Sequence, residues 1–261
     1  MAVNYLNNRD MLAEIHKSKV TYCSYLTDED RDYDLILPSV DKINIRTVAQ
    51  AKRERAKRLT RSTGETVKPQ SFTKHNVVFR IMTFDHIPNS TRKAKPKTIA
   101  DSKVKVNFPP YQHWRYTPDG ELICVGKSHW RDGLSNGVFC PDHGKMTNKL
   151  AKMFLLLTQR YGTRGNWRGY TYNDEMQGQA LMQLSQIGLQ FDESKSDNPF
   201  AYYTAAITNS FTRILNVEKK NQSLRDDILQ ENGMTPSHTR QMEWEIQQRK
   251  EREIDAKNKK F

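Results

Sequence analysis

The sequence predicts a mainly α protein: a helical core over residues 148–222, preceded by a small basic mixed α/β insert and flanked by charged arms. Three apolar stripes carry this expectation. Leu150, Met153, Phe154, Leu157 and Tyr161 recur at i, i+3, i+4, i+7 and i+11. Met176, Ala180, Leu184 and Ile187 form a second stripe, and Tyr203, Ile207, Phe211 and Ile214 a third. Such spacing puts each set on one face of a helix, ready for burial. The expected organisation is residues 1–40 as an N-terminal helix and arm and 41–147 as the basic mixed insert. Residues 148–222 form the core and 223–261 a charged C-terminal helix.

In chain order, Met1–Lys17 reads as a short helix capped by Asn7 or Asn8, with Met11, Leu12 and Ile15 on one face. Val20–Leu37 alternates loosely and carries Asp28, Glu29, Asp30, Asp32 and Asp34. Ile43–Leu59 reads as a basic helix whose charges dominate every face of its second half, which argues against a core position. Thr60–Ser71 is linker-like, and Asn76–Phe84 is a strand by its β-branched and aromatic content. Pro88–Lys105 is a basic connection, Val104–Trp114 a short strand, and Tyr116–Cys124 a hairpin around the turn TPDG. From Thr147 the pattern becomes helical. Thr147 or Asn148 caps the first core helix, GTRGNWRG (Gly162–Gly169) ends it, and Tyr172–Leu189 forms the second. The third runs from Pro199 to about Gln222, with Asp197 and Asn198 as N-cap types ahead of a proline suited to the first helical position. NGMTP (232–236) interrupts the chain before a last charged helix over His238–Lys260, on which Met242, Ile246 and Ile254 share a face.

Charge narrows the partner. The net charge is +12 and mean hydropathy is −0.84, with a pI near 9.5. Asp41–Pro110 holds 17 Lys and Arg against 5 Asp and Glu, so this segment alone equals the whole net charge. Such a balance points to a polyanion, nucleic acid first. Lys52, Arg53, Arg55, Lys57 and Arg58 are the candidate phosphate contacts, a solvated helix being the alternative. Three cysteines do not build a disulfide scaffold, which favours a reducing cytosol. No apolar run approaches the ~20 residues of a membrane span, and no secretory signal is expected. Membrane is therefore not an expected partner.

Few constellations suggest chemistry. Cys124, His129, Cys140 and His143 have zinc-ligand types, but the first pair lacks the close spacing of structural zinc sites, and ordinary surface residues are the alternative. No phosphate-cradling, dinucleotide-binding or nucleophile-elbow motif occurs. No catalytic residue, metal or cofactor is expected, and the chain does not read as an enzyme.

The third core helix is the most informative stretch. Tyr202, Thr208, Asn209, Thr212 and Arg213 fall toward its solvent side, and Lys219 and Lys220 mark a basic exit. Rings stack on bases, Asn and Thr read base edges, and Arg pairs with phosphate, a set that suits single-stranded nucleic acid. Aromatics at this spacing also suit a core. The run NPFAYYTAAITNSFTRILNVEKK (Asn198–Lys220) resembles the late-transcription sigma factors of T-even-type bacteriophages, within it AYYTAAITNSFTR resembling the promoter-melting helix of bacterial sigma factors. GYTYNDEMQGQALMQLSQIGLQFDESK (Gly169–Lys195) resembles the polymerase-binding helix that precedes it in that family, and VNYLNNRDMLAEI (Val3–Ile15) more weakly resembles its amino-terminal segment. The main match covers roughly 148–221.

The resemblance implies a sigma region 2-like core that binds host RNA polymerase and opens an A·T-rich −10-type late promoter. Chemistry would stay with the polymerase. Asp174, Gln179, Gln183 and Gln186 would contact a coiled coil of the β′ subunit. Tyr202 falls on the family aromatic, Ile207 on its buried isoleucine, and Thr212–Arg213 on its Thr-Arg pair. Ala205 and Ala206 replace the tryptophan pair that wedges the duplex in primary sigma factors, leaving Phe200, Tyr202 or Tyr203 to substitute. Promoter DNA, a phage coactivator and a sliding clamp are the further partners implied. The family's hydrophobic and acidic clamp-binding tail is not matched by the basic ending REIDAKNKKF. The place of action would be the cytoplasm of an infected bacterial host. A stand-alone single-strand nucleic-acid binding protein is the alternative reading.

Overall fold

Among the residues that the computed structural model describes, 6–88, 99 and 104–258, six α-helices pack with a five-stranded mixed sheet and a two-stranded ribbon. The helices are α1 (Asn8–Val20), α2 (Ile45–Thr63), α3 (Asn148–Gly162), α4 (Asn173–Ile187), α5 (Pro199–Glu231) and α6 (His238–Asn258). The strands are β1 (Cys23–Tyr25), β2 (Leu35–Leu37), β3 (Val78–Met82), β4 (Tyr111–Tyr116), β5 (Leu122–Ser128), β6 (Trp130–Arg131) and β7 (Val138–Phe139).

The large sheet corrects the expectation of a mainly α protein: the fold combines α and β layers. Its order is β1-β5-β4-β3-β2, with β2 parallel to β3 and the other pairs antiparallel. Both edge strands have three residues, too few to show alternation in sequence. They come from the first forty residues, while their partners lie within 41–147, so the two segments build one sheet. The β4–β5 hairpin forms at the expected turn, where Gly120 takes φ +93° and donates its N–H to the Thr117 carbonyl. β4 starts later than the expected strand because Pro109 and Pro110 precede it and cannot donate to a ladder. The expected basic connection Pro88–Lys105 lies mostly outside the described residues, as do residues 1–5 of the first expected helix and 259–261 at the end of the last.

Helix α2 is a second correction. It is strongly basic, yet it packs on the sheet. Ala51 and Ala56 are buried, and Ala51 joins Leu37, Val77, Phe79 and Ile81 in a small core. Small side chains let a charged helix approach the sheet closely, while its long side chains spread to the rim. The Asn44 side chain caps it, accepting from the Arg46 and Thr47 N–H groups.

The main core lies between helices. α1 contributes Met11 and Ile15, and every member of the first predicted stripe on α3 is buried. α4 contributes Met176, Ala180 and Leu184; α5 contributes Tyr203, Ile207 and Phe211. Thr147 caps α3 through Leu150 N–H and donates to Glu14 of α1 at 3.1 Å, which ties the start of α3 to α1. α5 runs well past Gln222, to Glu231.

A buried ionic seam joins the helical layer to the sheet. Glu193, in the turn before α5, accepts from Lys19 Nζ at 2.6 Å and lies 3.9 Å from Arg80 Nη1 of β3. Lys19 and Arg80 are almost completely buried. The Arg80 guanidinium sits between the rings of Tyr33 and Tyr111, 3.8 Å from each centroid. Its Nε donates to His113 Nε2 at 3.1 Å, so His113 Nδ1 carries the proton donated to the Asp30 carbonyl at 2.7 Å. Its Nη2 donates to His16 Nδ1, which leaves His16 Nε2–H for Asp32. Burial alone would raise the Glu193 carboxyl, but Lys19 and Arg80 outweigh it and hold it below its usual value.

The buried charges and imidazoles are open to test. Glu193→Ala strands two buried cations and should destabilise the fold by about 3–5 kcal/mol, measurable by urea unfolding. Acid should also destabilise. Burial depresses His16 and His113, and pushes His86 down to about 4 and His129 to about 3. The unfolded chain takes up these protons near pH 6.5 and the native state does not. Stability is therefore full above pH 6.5 and is lost as pH falls toward the folded values, by about 1.4 kcal/mol per unit for each histidine. Unfolding curves at pH 7 and pH 5 should differ sharply; coincident curves would refute the assignment of neutral buried imidazoles.

Candidate nucleic-acid interface

The start of α5 is held on three sides. Asn198 caps it by accepting from Ala201 N–H, and Pro199 occupies the first turn. Phe200 N–H donates to Asn8 Oδ1 at the start of α1. Tyr203 donates its hydroxyl to the Gly188 carbonyl at 2.6 Å, while its ring meets Phe154 edge-on. These contacts leave one flank of α5 open beside α4.

That flank forms a groove of about 420 Å³. Gln179, Gln183 and Ile187 of α4 line one wall; Tyr202, Asn209 and Arg213 of α5 line the other, with Ala205 and Ala206 between them. Tyr202 is 36% exposed, and its ring rests edge-on against Phe191 and Tyr203. Burial raises its phenol, so the hydroxyl remains a neutral donor. The alanines keep the groove open where larger side chains would fill it. Asn209, Thr212, Arg213, Asn216 and Lys220, with Val217 among them, continue as a shallow strip along α5.

The groove unites some predicted residues and separates others. Gln179 and Gln183, expected at polymerase, line it together with Tyr202, Asn209 and Arg213, expected at DNA. Asp174 and Gln186 are exposed but do not line it. Tyr203 is completely buried and belongs to the core, and Phe200 is half-buried against that core. Thr208 turns toward α3: it accepts from the Tyr161 hydroxyl at 2.6 Å and donates to the Thr204 carbonyl. Lys219 and Lys220 are exposed. Asn216 is a strip residue that the sequence reading missed. Its signal was present, since Asn209, Arg213, Asn216 and Lys220 follow at steps of four, three and four.

The basic set on α2 also divides. Arg55 and Arg58 both pair with Asp34, whose side chain is fully buried, at 3.3 and 2.8 Å. Arg58 also donates to the Tyr33 carbonyl at 2.7 Å. These two guanidiniums hold α2 to the sheet and are committed to that task. Lys57 pairs with Glu54 on the helix surface, Lys52 is half-exposed and Arg53 is exposed. The zinc-type residues do not converge. The Cys124 thiol donates to the Gly126 carbonyl, His129 Nε2 accepts from Asn107 N–H, and His143 Nδ1 donates to the Cys140 carbonyl. Among the described residues there is no group of three or more potential ligands placed to hold a metal. None of the described helices is long and apolar enough to cross a membrane.

No protein-family model, curated protein or solved structure matches this chain. The functional reading therefore rests on the residues themselves.

The division of the basic residues is testable. Arg58→Met should lower stability by about 1–3 kcal/mol by removing a charged partner of buried Asp34. Arg53→Met, at an exposed position, should stay within about 0.5 kcal/mol of the parent. Thermal unfolding of the two variants checks the contrast, and equal losses would refute it.

Proposed function

We propose that this protein is a phage-type sigma factor that binds a host RNA polymerase core, recognises an A·T-rich −10-type late promoter element and promotes DNA melting for transcription initiation. The α4–α5 groove carries this reading. An exposed ring, side-chain amides and a guanidinium line a channel with an alanine floor, which suits unpaired bases and their backbone. Arg213, Lys219 and Lys220 supply cations for phosphate, and steady salt dependence follows from counterion release. Tyr202 offers a stacking face worth about 1–3 kcal/mol per base. Asn209 can read a base edge. Ala205 and Ala206 leave no wedge of their own, so Tyr202 takes that part. An easily unstacked A·T-rich sequence with TA steps lowers the work required. The resemblance of Gly169–Lys195 to a polymerase-binding helix supports docking through Asp174 and Gln186, which stay exposed away from the groove. A phage coactivator is the further partner that the resemblance implies. No residue of this chain is assigned a bond-making step.

One observation favours a second reading. Gln179 and Gln183 share the groove with Tyr202 and Arg213, so all four could serve a single strand without polymerase. A stand-alone single-strand binding protein would use them in this way.

Co-purification with bacterial core polymerase separates the readings: a sigma factor is retained and a stand-alone binder is not. Tyr202→Ala should keep polymerase binding and lose permanganate-reactive thymines on duplex promoters, while a pre-melted bubble template restores transcription. Normal opening by this variant, or no rescue by the bubble, would remove Tyr202 from the melting step.

A further inference from the structure

Helix α5 carries one unbroken seven-residue repeat. Tyr203, Ile207, Ser210 and Ile214 follow at steps of four, three and four, and Val217, Asn221, Leu224 and Ile228 extend the same alternation. This is the 3.5-residue period of a coiled-coil seam. The first half of the stripe is used by the core, where Tyr203, Ile207 and Ser210 are buried and Ile214 is half-buried. The second half is not. Val217 is 48%, Leu224 60% and Ile228 49% exposed. Helix α6 is fastened elsewhere: Ser237 donates twice to Asp226, and Arg240 pairs with Asp227. Asp226 lies midway in sequence between Leu224 and Ile228, which at 3.6 residues per turn puts it on the opposite side of α5.

We propose that this stripe is a self-association surface, on which Val217–Ile228 of one protomer packs antiparallel against the same segment of a second copy. In that arrangement Val217 faces Ile228 of the partner subunit, and Asn221 faces Leu224 of the partner subunit. The flanking charges select the occupant and its direction. When two such helices run in opposite directions, like flank meets like flank. Glu218 then meets Arg225 of the partner subunit, and Lys220 meets Asp227 of the partner subunit, a carboxylate it shares with that chain's α6 arginine, so each flanking contact pairs opposite signs. A parallel pair would set Lys220 against Arg225 of the partner subunit, which repels. Asn221, whose amide donates to Glu218 of its own helix at 3.1 Å, is the polar member of the seam and keeps the association weak. The inference does not depend on the proposed function.

Sedimentation of the full chain from low to high micromolar concentration tests it. A monomer–dimer shift weakened by salt is expected. Leu224→Glu should abolish it, and Asn221→Leu should tighten it about tenfold by completing the apolar seam. Arg225→Glu should weaken it, and Glu218→Arg with Arg225→Glu should restore it. Asn221, Leu224 and Arg225 are exposed and Glu218 is half-exposed, and circular dichroism checks that the fold persists. A chain that stays monomeric at every concentration overturns the proposal in favour of a helix from another protein. Dimers that survive Leu224→Glu, or a charge swap that does not restore association, overturn it as well.

Discussion

Glu193 is the carboxylate on which the two layers of this fold depend. It is short-range in its contacts and long-range in its consequences. Lys19 reaches it from α1 and Arg80 from the central sheet, and all three lie almost out of water. None of these charges is tolerable alone in that setting. Together they set the depth at which the turn before α5 sits. Lys19 adds a second bond, donating to the Phe191 carbonyl at 2.6 Å. The turn is therefore tied through both a side chain and its backbone. The aromatic stacking of Tyr33 and Tyr111 on Arg80 fills the remaining space with rings that tolerate a cation.

The position of that turn passes directly to α5. Phe191 packs against Tyr202 and Tyr203, and Tyr203 reaches back to Gly188. One tyrosine is thereby made core and its neighbour made surface. The groove beside α4 exists because its wall residues are anchored from behind while its floor is alanine. A wall anchored in this way would lose little freedom on meeting the strand proposed to bind there. The cations divide in a similar way between holding the fold and facing outward. Arg55 and Arg58 are consumed by buried Asp34, whereas Arg213, Lys219 and Lys220 remain exposed.

How much of this was legible in sequence varied with the range of the interaction. The helices α3 and α4 and the first half of α5 were clear because their stripes repeat within a few turns, and Asn198, Pro199 and Thr147 mark their starts locally. β3 and the β4–β5 hairpin were visible for similar reasons. The sheet as a whole was not. Cys23–Tyr25 and Leu35–Leu37 become strands only through partners far along the chain. Helix α2 misled because charge was counted without its counter-charge. Asp34 and Asp32 read as an acidic cluster, and the role of Asp34 under Arg55 and Arg58 appears only in three dimensions. In the candidate interface, Tyr202, Asn209 and Arg213 were correctly placed on an open face. Tyr203, also a candidate base contact, is core, as its place in the third apolar stripe predicts; Thr208 turned inward without a sequence mark, because it serves a neighbouring tyrosine. The sharing of one groove by Gln179, Gln183 and Tyr202 was likewise invisible, because it depends on how two helices are rotated against each other.

The Lys19–Glu193 pair spans 174 residues, and this separation has a consequence for biosynthesis. In translation Lys19 precedes its counter-charge by that distance, and it cannot be buried until Glu193 arrives. At ~5–20 residues per second the wait is on the order of 10–35 s. During that interval the ammonium keeps its water, and α1 has no α5 to lie against. Helix α1 thus leaves the ribosome well before the helices on which it docks. The nascent chain exposes Met11 and Ile15 throughout, with a hydrated lysine and the neighbouring acidic turn to hold them in solution until the carboxylate closes the layer.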